Sequence, residues 1–356
     1  MRELLRKNIA TLVPYSCARN DFKGAASVYL DANENWQDFV DDPGLNRYPD
    51  PLCEHLRLEI ERRMGLKREH TLIGNGSDEL IDNLIRMYCE PGKDRVLLFP
   101  PTYGAYRVFC DINAVKTDEV PLRGDFQLDM PAILDFLARE KAERKEGVGR
   151  LKILFVCSPN NPTANAFPLE QIEQIAQAFD GITVVDEAYC DFSSQKRADS
   201  LLDAYPRLVV LRTLSKCWAL AGARIGILVA SREICSVMAS MKYPYNVSAP
   251  AQREALKDLQ RWQEVEKGRE EILKERPAFA EALSRISCVQ KVYPSDANFL
   301  LVKVSDAKGI YEYLMQKGII VRNRSKEVGC LQCLRITVGS HRENQAVIDA
   351  LKEWKQ

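Results

Sequence analysis

The stretch "TLSKCWALAGARIG", residues 213–226, is where the fold is decided. It joins two short apolar runs, "RLVVLRTLSK" (207–216) and "ARIGILVA" (223–230), each of which reads as a buried strand. Between them stand a hydroxyl pair, Thr213 and Ser215, a lysine, Lys216, and an arginine, Arg224. A structural reading buries Ala219, Leu220 and Ile225 and leaves the lysine in solvent. A chemical reading uses the lysine and gives the hydroxyls and the arginine to an anion. The residues that other parts of the chain bring to this segment choose between the two.

Working outward, similar apolar runs recur: "RVLLFP" (95–100), "LKILFVCSP" (151–159) and "GITVVDEAY" (181–189). Helix-like segments separate several of them, at 77–90, 129–146 and 168–180. Buried strands alternating with helices predict an α/β fold, a mainly parallel sheet with helices on both faces. After residue 245 the texture changes. A long charged helical stretch (249–286) leads into "ANFLLVKV" (297–304), "GIIVRN" (318–323) and "LQCLRITVGS" (331–340), and a helix over 342–356 closes the chain. The expected division is an N-terminal segment, 1–45, joining the small domain, a large domain over 46–245 and a small α+β domain over 246–356.

Composition narrows the function. Of 356 residues, 46% are hydrophobic, enough for a large core. Fifty basic residues balance fifty acidic ones. No net field draws nucleic acid or an anionic membrane, so the expected partner is a small molecule. The opening "MRELLRKNIATLVPYSCARN" lacks the apolar core of a signal peptide, so the eleven scattered cysteines read as reduced thiols in a cytoplasm. No apolar run approaches the roughly 18 residues of a membrane span. His55, His70 and His341 are far apart, and Cys330 and Cys333 form a lone CxxC, so no metal set is expected.

In an open parallel sheet, ligands bind beyond the carboxyl ends of the strands. "LIG" (72–74) is followed by "NGSDEL", which offers backbone N–H groups at a helix N-terminus to an anion. "VLLF" is followed by "PPTYGAY", "ILFV" by "CSPNNPTAN" and "TVV" by "DEAY". Asp186 is the first residue after "TVV", where a buried charge needs a cationic partner. Glu187 falls on the opposite face if the strand period persists.

The segments "YLDANEN" (29–35), "NRYPDP" (46–51), "GNGSDEL" (74–80), "PPTYGAY" (100–106), "SPNNPT" (158–163), "VVDEAYCDF" (184–192), "TLSK" (213–216), "AGARIG" (221–226) and "LRITVG" (334–339) span most of the chain. In residues and order they resemble the fold-type I pyridoxal-phosphate aminotransferases, and within them the histidinol-phosphate branch. The resemblance implies a seven-stranded-type sheet plus a smaller domain, pyridoxal 5'-phosphate as cofactor, and a homodimer with shared active sites. It implies amino transfer between L-histidinol phosphate and 2-oxoglutarate in histidine biosynthesis. A related pyridoxal-phosphate enzyme, such as threonine-phosphate decarboxylase or an aromatic amino acid transaminase, remains an alternative. A non-catalytic cofactor sensor is a further one, weakened by the lack of a basic patch.

Site roles follow from the same resemblance. Lys216 holds the cofactor's aldehyde covalently and later carries a proton. Asp186 keeps the ring nitrogen protonated, and Tyr189 and Asn161 hydrogen-bond the ring's 3-oxygen. Tyr103 stacks on the ring, with Tyr106 the competing choice. Gly76, Ser77, Asp78, Thr213, Ser215 and Arg224 surround the cofactor phosphate, although Ser77 and Asp78 also suit a plain helix cap. Tyr48 reaches the neighbouring subunit's cofactor. Arg322 and Arg335 grip the substrate's phosphate, and Tyr15 adds a contact. Arg324 reads as an exposed loop arginine, and Asn33 and Asn246 have no assigned role. Ala164 replaces the glycine of the family's "NNPTG". Either Ala164 keeps a left-handed turn at a cost of about 1 kcal/mol, or Asn165 takes that conformation.

Overall fold

The computed structural model describes residues 2–15, 27–39, 41, 44–144 and 148–355. The larger sheet has seven strands: β1 (Thr71–Asn75), β2 (Arg95–Leu98), β3 (Lys116–Glu119), β4 (Leu151–Cys157), β5 (Ile182–Asp186), β6 (Leu208–Thr213) and β7 (Ile225–Ala230). Their order is β1-β7-β6-β5-β4-β2-β3. β7 runs against both neighbours, and the remaining pairings are parallel. Every residue of β4, β5, β6 and β7 is buried. Helices cover both faces, so apolar residues run through these strands without alternation, and the polar exceptions Lys152, Thr183, Asp186, Arg212 and Thr213 are buried as well. Ile153, Phe155, Val184 and Leu211 join Leu80, Ile81 and Leu84 in one core. Leu154, Val156, Val185 and Val210 join Ile133 and Ile172 in the other. Alternate residues of one strand thus feed opposite layers.

The smaller sheet is antiparallel, in the order β10-β11-β9-β8. It comprises β8 (Val289–Val292), β9 (Phe299–Val304), β10 (Arg322–Asn323) and β11 (Cys333–Thr337). Phe279, Leu283, Ile310, Leu314, Val347 and Leu351 pack on it from three helices. The charged stretch 249–286 is two helices, Ala249–Gln260 and Trp262–Ser284, with Arg261 between them. In "GIIVRN" only Arg322 and Asn323 pair as a strand. The strands β3 ("KTDE") and β8 ("VQKV") carry no apolar run and are invisible to pattern reading. No helix among the described residues is long and apolar enough to cross a membrane.

The two parts meet at a small cluster of Ala164, Tyr189 and Phe192 with Ala297 and Phe299, and also where Leu301, Cys330 and Cys333 join the larger core beside Phe126. The Asp296 N–H donates to the Ala164 carbonyl (2.7 Å), and its carboxylate accepts the Ala166 N–H (2.9 Å). Ala164 itself has φ 70°, so of the two alternatives for this turn the chain keeps the alanine left-handed. Asn165 does not take that conformation; its side-chain amide donates to the Phe126 carbonyl (2.9 Å). The alanine methyl is fully buried in the junction, and that burial offsets the backbone strain. The junction sets the C-terminal ends of β4 and β5 against β9 and β11, where the candidate residues gather.

Candidate active site

The anion cradle is built where β1, β6 and β7 end or begin. The helix Gly76–Tyr88 starts directly after β1. The Gly76 N–H donates to the Arg224 carbonyl at 2.7 Å. First-turn N–H groups have no acceptor within their helix, so Ser77 and Asp78 supply the donors left for an anion. A side chain at Gly76 would strike the Arg224 guanidinium at 2.4 Å, and one at Gly226 would strike the Gly76–Ser77 peptide at 2.3–2.4 Å. Arg224 adopts φ 55° to turn into the cradle. Its guanidinium donates to Asp78 Oδ2 (3.3 Å) and to Ser215 Oγ (3.5 Å). The Thr213 hydroxyl is buried against Ser215 Oγ (2.9 Å) and the Ile225 carbonyl (3.1 Å). Thr213 therefore orients Ser215, and Ser215 faces the arginine.

Lys216 stands in the open part of the cleft, its ammonium 5.5 Å from the centre of the Tyr189 ring. Crowding by the cleft walls, followed by the nearby Arg335 charge, pushes its pKa below the ordinary lysine value. That shift favours the neutral, nucleophilic amine. Asp186 is buried at the end of β5, and burial raises its pKa. Its carboxylate accepts the Tyr106 hydroxyl (2.7 Å) and the Ala188 N–H (3.1 Å). Tyr106 is fully buried and stacked on Phe155, with ring centres 4.6 Å apart. It orients Asp186 and cannot also cover a ligand in the cleft. Tyr103 is half-buried, edge-on to Tyr106, and donates to Asp78 Oδ1 (3.1 Å). Of the two, Tyr103 is the one that faces the cradle. Glu187 lies on the far side of the sheet, with Arg212.

The small sheet contributes arginines. Arg335 in β11 is directly opposite Arg322 in β10, so both side chains share one face. Arg335 Nη1 donates to Asn161 Oδ1 at 2.6 Å. Arg324 also reaches that oxygen, at 3.4 Å, and pairs with Glu327 at 3.5 Å. The expectation of an exposed loop arginine is wrong for Arg324, whose side chain is only 20% exposed. The missed signal was its spacing: two residues beyond Arg322 on an extended segment, it returns to the same face. Burial and then the like charges of Arg324 and Arg322 lower the Arg335 pKa, while Tyr189 opposes them.

Some candidates lie apart from this cluster. Tyr15 is exposed, and Tyr48 is half-exposed and stacked on Tyr245 with ring centres 4.4 Å apart. Asn33 lines a hollow with Tyr48 and Tyr245. Cys330 and Cys333 are fully buried, and burial pushes their pKa values up to about 12 and about 11. They are packed thiols. Among the described residues no group of three or more His, Cys, Asp or Glu could hold a metal ion.

A buried carboxylate, a depressed lysine and an anion cradle around one cleft define a site for an anionic, electron-accepting cofactor. The chain belongs to the class I and II aminotransferases, a family it matches over residues 18–351. The histidinol-phosphate aminotransferase of Christiangramia forsetii is 43% identical over 99% of this chain and 97% of its own. That of Cytophaga hutchinsonii is 44% identical over 99% of this chain and 98% of its own. Within the class, the chain groups with these histidinol-phosphate aminotransferases. The fold also matches the solved structure of histidinol-phosphate aminotransferase from Sinorhizobium meliloti in complex with pyridoxal-5'-phosphate. The TM-score is 0.77 at 23% identity, covering 86% of this chain and 82% of that one. The enzyme depends on pyridoxal phosphate, and the residues present fit it. The Arg224 guanidinium can lie against the turn because Gly76 has no Cβ, and Asp186 is a buried carboxylate in need of a cation.

Proposed function

We propose that the protein moves an amino group between L-histidinol phosphate and 2-oxoglutarate, giving imidazole acetol phosphate and glutamate, in histidine biosynthesis. The observation that carries this reading is Arg335. It is partly withdrawn from water, its hydrogen bond goes to a neutral amide, and its charged neighbours Arg322 and Arg324 are cations. Such a guanidinium is costly until an anion arrives, and a phosphate dianion suits several guanidinium forks. The acceptor's carboxylate uses the same cations in the second half-reaction.

Bound pyridoxal phosphate supplies an aldehyde that accepts an amine and a ring that draws electrons from the amine-bearing carbon. The protein's residues do the rest. Lys216, whose pKa desolvation lowers, would hold the cofactor's aldehyde covalently and would carry a proton at the substrate carbon. Asp186, fixed by Tyr106, would hold a proton on the ring nitrogen. Tyr189 and Asn161 would orient the ring through its 3-oxygen, and Tyr103 would lie against its face. Ser77, Asp78, Ser215 and Arg224 would grip the phosphate, with Gly76 and Thr213 shaping the grip. Arg322 and Arg335, with Tyr15, take the substrate phosphate.

The same proposal includes a cytoplasmic homodimer in which Tyr48 completes the partner's site, and domain boundaries at residues 45/46 and 245/246. The exposed position of Tyr48 supports a reach outward. Mixing inactive Lys216→Ala protein with an inactive Tyr48→Ala protein should then restore activity; exchange of subunits without recovery would refute the shared site. The substrate is tested by spectrum. Histidinol phosphate, added without a keto acid, should bleach the yellow enzyme, and 2-oxoglutarate should restore the colour. An unchanged spectrum, with carbon dioxide released from phosphothreonine, would assign the protein to the lyases instead.

A further inference from the structure

Asn246, which the sequence leaves without a role, sits in the middle of a continuous chain of hydrogen bonds. At one end is Lys242, whose ammonium is buried. It donates to Asn246 Oδ1 (2.7 Å) and to the carbonyls of Pro51 (2.8 Å), Tyr243 (3.2 Å) and Pro244 (3.3 Å). The Asn246 Nδ2 donates to Glu79 Oε2 (2.7 Å) and, more weakly, to the Ile73 carbonyl (3.4 Å). The same Glu79 oxygen accepts the Asn75 N–H at 2.5 Å. Asn75 precedes the first turn of the helix Gly76–Tyr88, and its own side chain caps nothing there. Glu79 thus reaches back from the helix to do the capping.

This arrangement bears on the anion cradle for two reasons. The turn Asn75–Ser77 is held on one side by Arg224 and Gly226 and on the other by Glu79. Donors fixed in advance need no reorganisation when an anion binds, so the rigidity contributes to affinity. Charge is the second reason. A carboxylate accepts the Asn75 and Asn246 N–H bonds more strongly than a neutral amide would, and Lys242, one amide away, supplies the charge that offsets it beside a phosphate site. We propose that Glu79, Asn246 and Lys242 are positioning residues for the cofactor phosphate. They fix the turn whose N–H groups meet it, and they tie that turn to the segment leading out of the larger sheet toward the helix Ala249–Gln260.

The test measures cofactor binding by the protein stripped of its cofactor. Asn246→Leu breaks the chain in the middle, and Glu79→Gln keeps the shape but removes the charge. Titrations are run with pyridoxal phosphate and, in parallel, with pyridoxal, which lacks the phosphate, at a temperature where circular dichroism shows each variant folded. Asn246→Leu should weaken pyridoxal phosphate about tenfold and speed its release, with pyridoxal binding within about twofold of wild type. Glu79→Gln should weaken pyridoxal phosphate severalfold with the same selectivity, and its kcat at saturating cofactor should stay within about twofold. Equal losses for the two ligands would mean general loosening of the structure and would overturn the proposal. So would pyridoxal phosphate affinities within twofold of wild type in both variants. If Asn246→Leu does not fold, Glu79→Gln decides alone.

Discussion

Arg212 and Arg335 are both withdrawn from water, and the protein treats them in opposite ways. Arg212, in β6, lies against Glu187 (3.3 Å) and Asp199 (3.0 Å). Burial works to lower its pKa, but Cys190, Glu187 and Asp199 outweigh burial and raise it. Arg335, in β11, has a neutral amide and two cationic neighbours, and its pKa falls. The first arginine is compensated within the fold and ties strand ends together. The second is left uncompensated, and what it lacks is a ligand. Compensation, rather than burial or residue type, separates a structural arginine from a binding one.

The largest effect should come from the other cation of the cleft. Lys216→Ala should lose amino transfer by roughly 10²–10⁴-fold or more, since it removes both the covalent link and the proton carrier. Borohydride should no longer fix the cofactor to the protein. A reduced adduct mapped to any other lysine would break the assignment.

The comparison itself is tested by a matched pair. Arg212→Gln leaves Glu187 buried without its cation and should destabilise the fold by roughly 3–5 kcal/mol. Arg335→Gln should leave the cofactor-free protein at least as stable as wild type, because it removes an uncompensated charge. Its kcat/KM for the phosphate donor should drop by about tenfold to a hundredfold or more. Thermal melts and steady-state kinetics on both variants suffice. If Arg335→Gln is the less stable of the two, the distinction collapses.

Asp186 sharpens the comparison from the acidic side. Its folded pKa is raised by burial, so its ionisation opposes folding. The unfavourable contribution begins as pH climbs past the unfolded value, about 3.9, and is complete above the raised folded value. Asp186→Asn should therefore raise the thermal midpoint of the cofactor-free protein at neutral pH, and the gain should vanish in acid. The loaded variant should lose most of its turnover. A midpoint gain that persists unchanged in acid would show that the carboxylate's charge is not the cause.

These contrasts also show what a sequence can disclose. Continuous apolar runs gave away β4 to β7, because strands covered on both faces carry few polar residues and only where a partner compensates them, as for Arg212, and the chemistry followed at their ends. β3 and β8 escaped, since strands rich in lysine, glutamate, aspartate and glutamine carry no such pattern. Lys216, Asp186 and Arg224 were legible from motifs. The bond from Tyr106 to Asp186 was not, because it joins residues 80 apart through a core that only folding assembles. Arg324 was misread because its environment, Asn161 of the other part of the chain, lies 163 residues away.

The smallest expected effect lies where Asn161's loop meets the small sheet. Ala164→Gly removes a left-handed alanine, which relieves about 1 kcal/mol of backbone strain. It also deletes a fully buried methyl, at a cost of about 0.8 kcal/mol, and gives the unfolded chain extra freedom worth about 0.4–1 kcal/mol. The sum is close to zero on the unfavourable side, so the thermal midpoint should move by no more than a few degrees. The backbone bonds from Asp296 and Ala166 do not depend on the methyl, so Asn161 should keep its place against Arg335, and kcat/KM should stay within about twofold. A large stabilisation would mean that the methyl is poorly packed and the strain unrelieved. A large loss of kcat/KM without loss of stability would mean that the alanine stiffens the loop carrying Asn161, and that the amide between Arg335 and Arg324 must be held as firmly as the charges it separates.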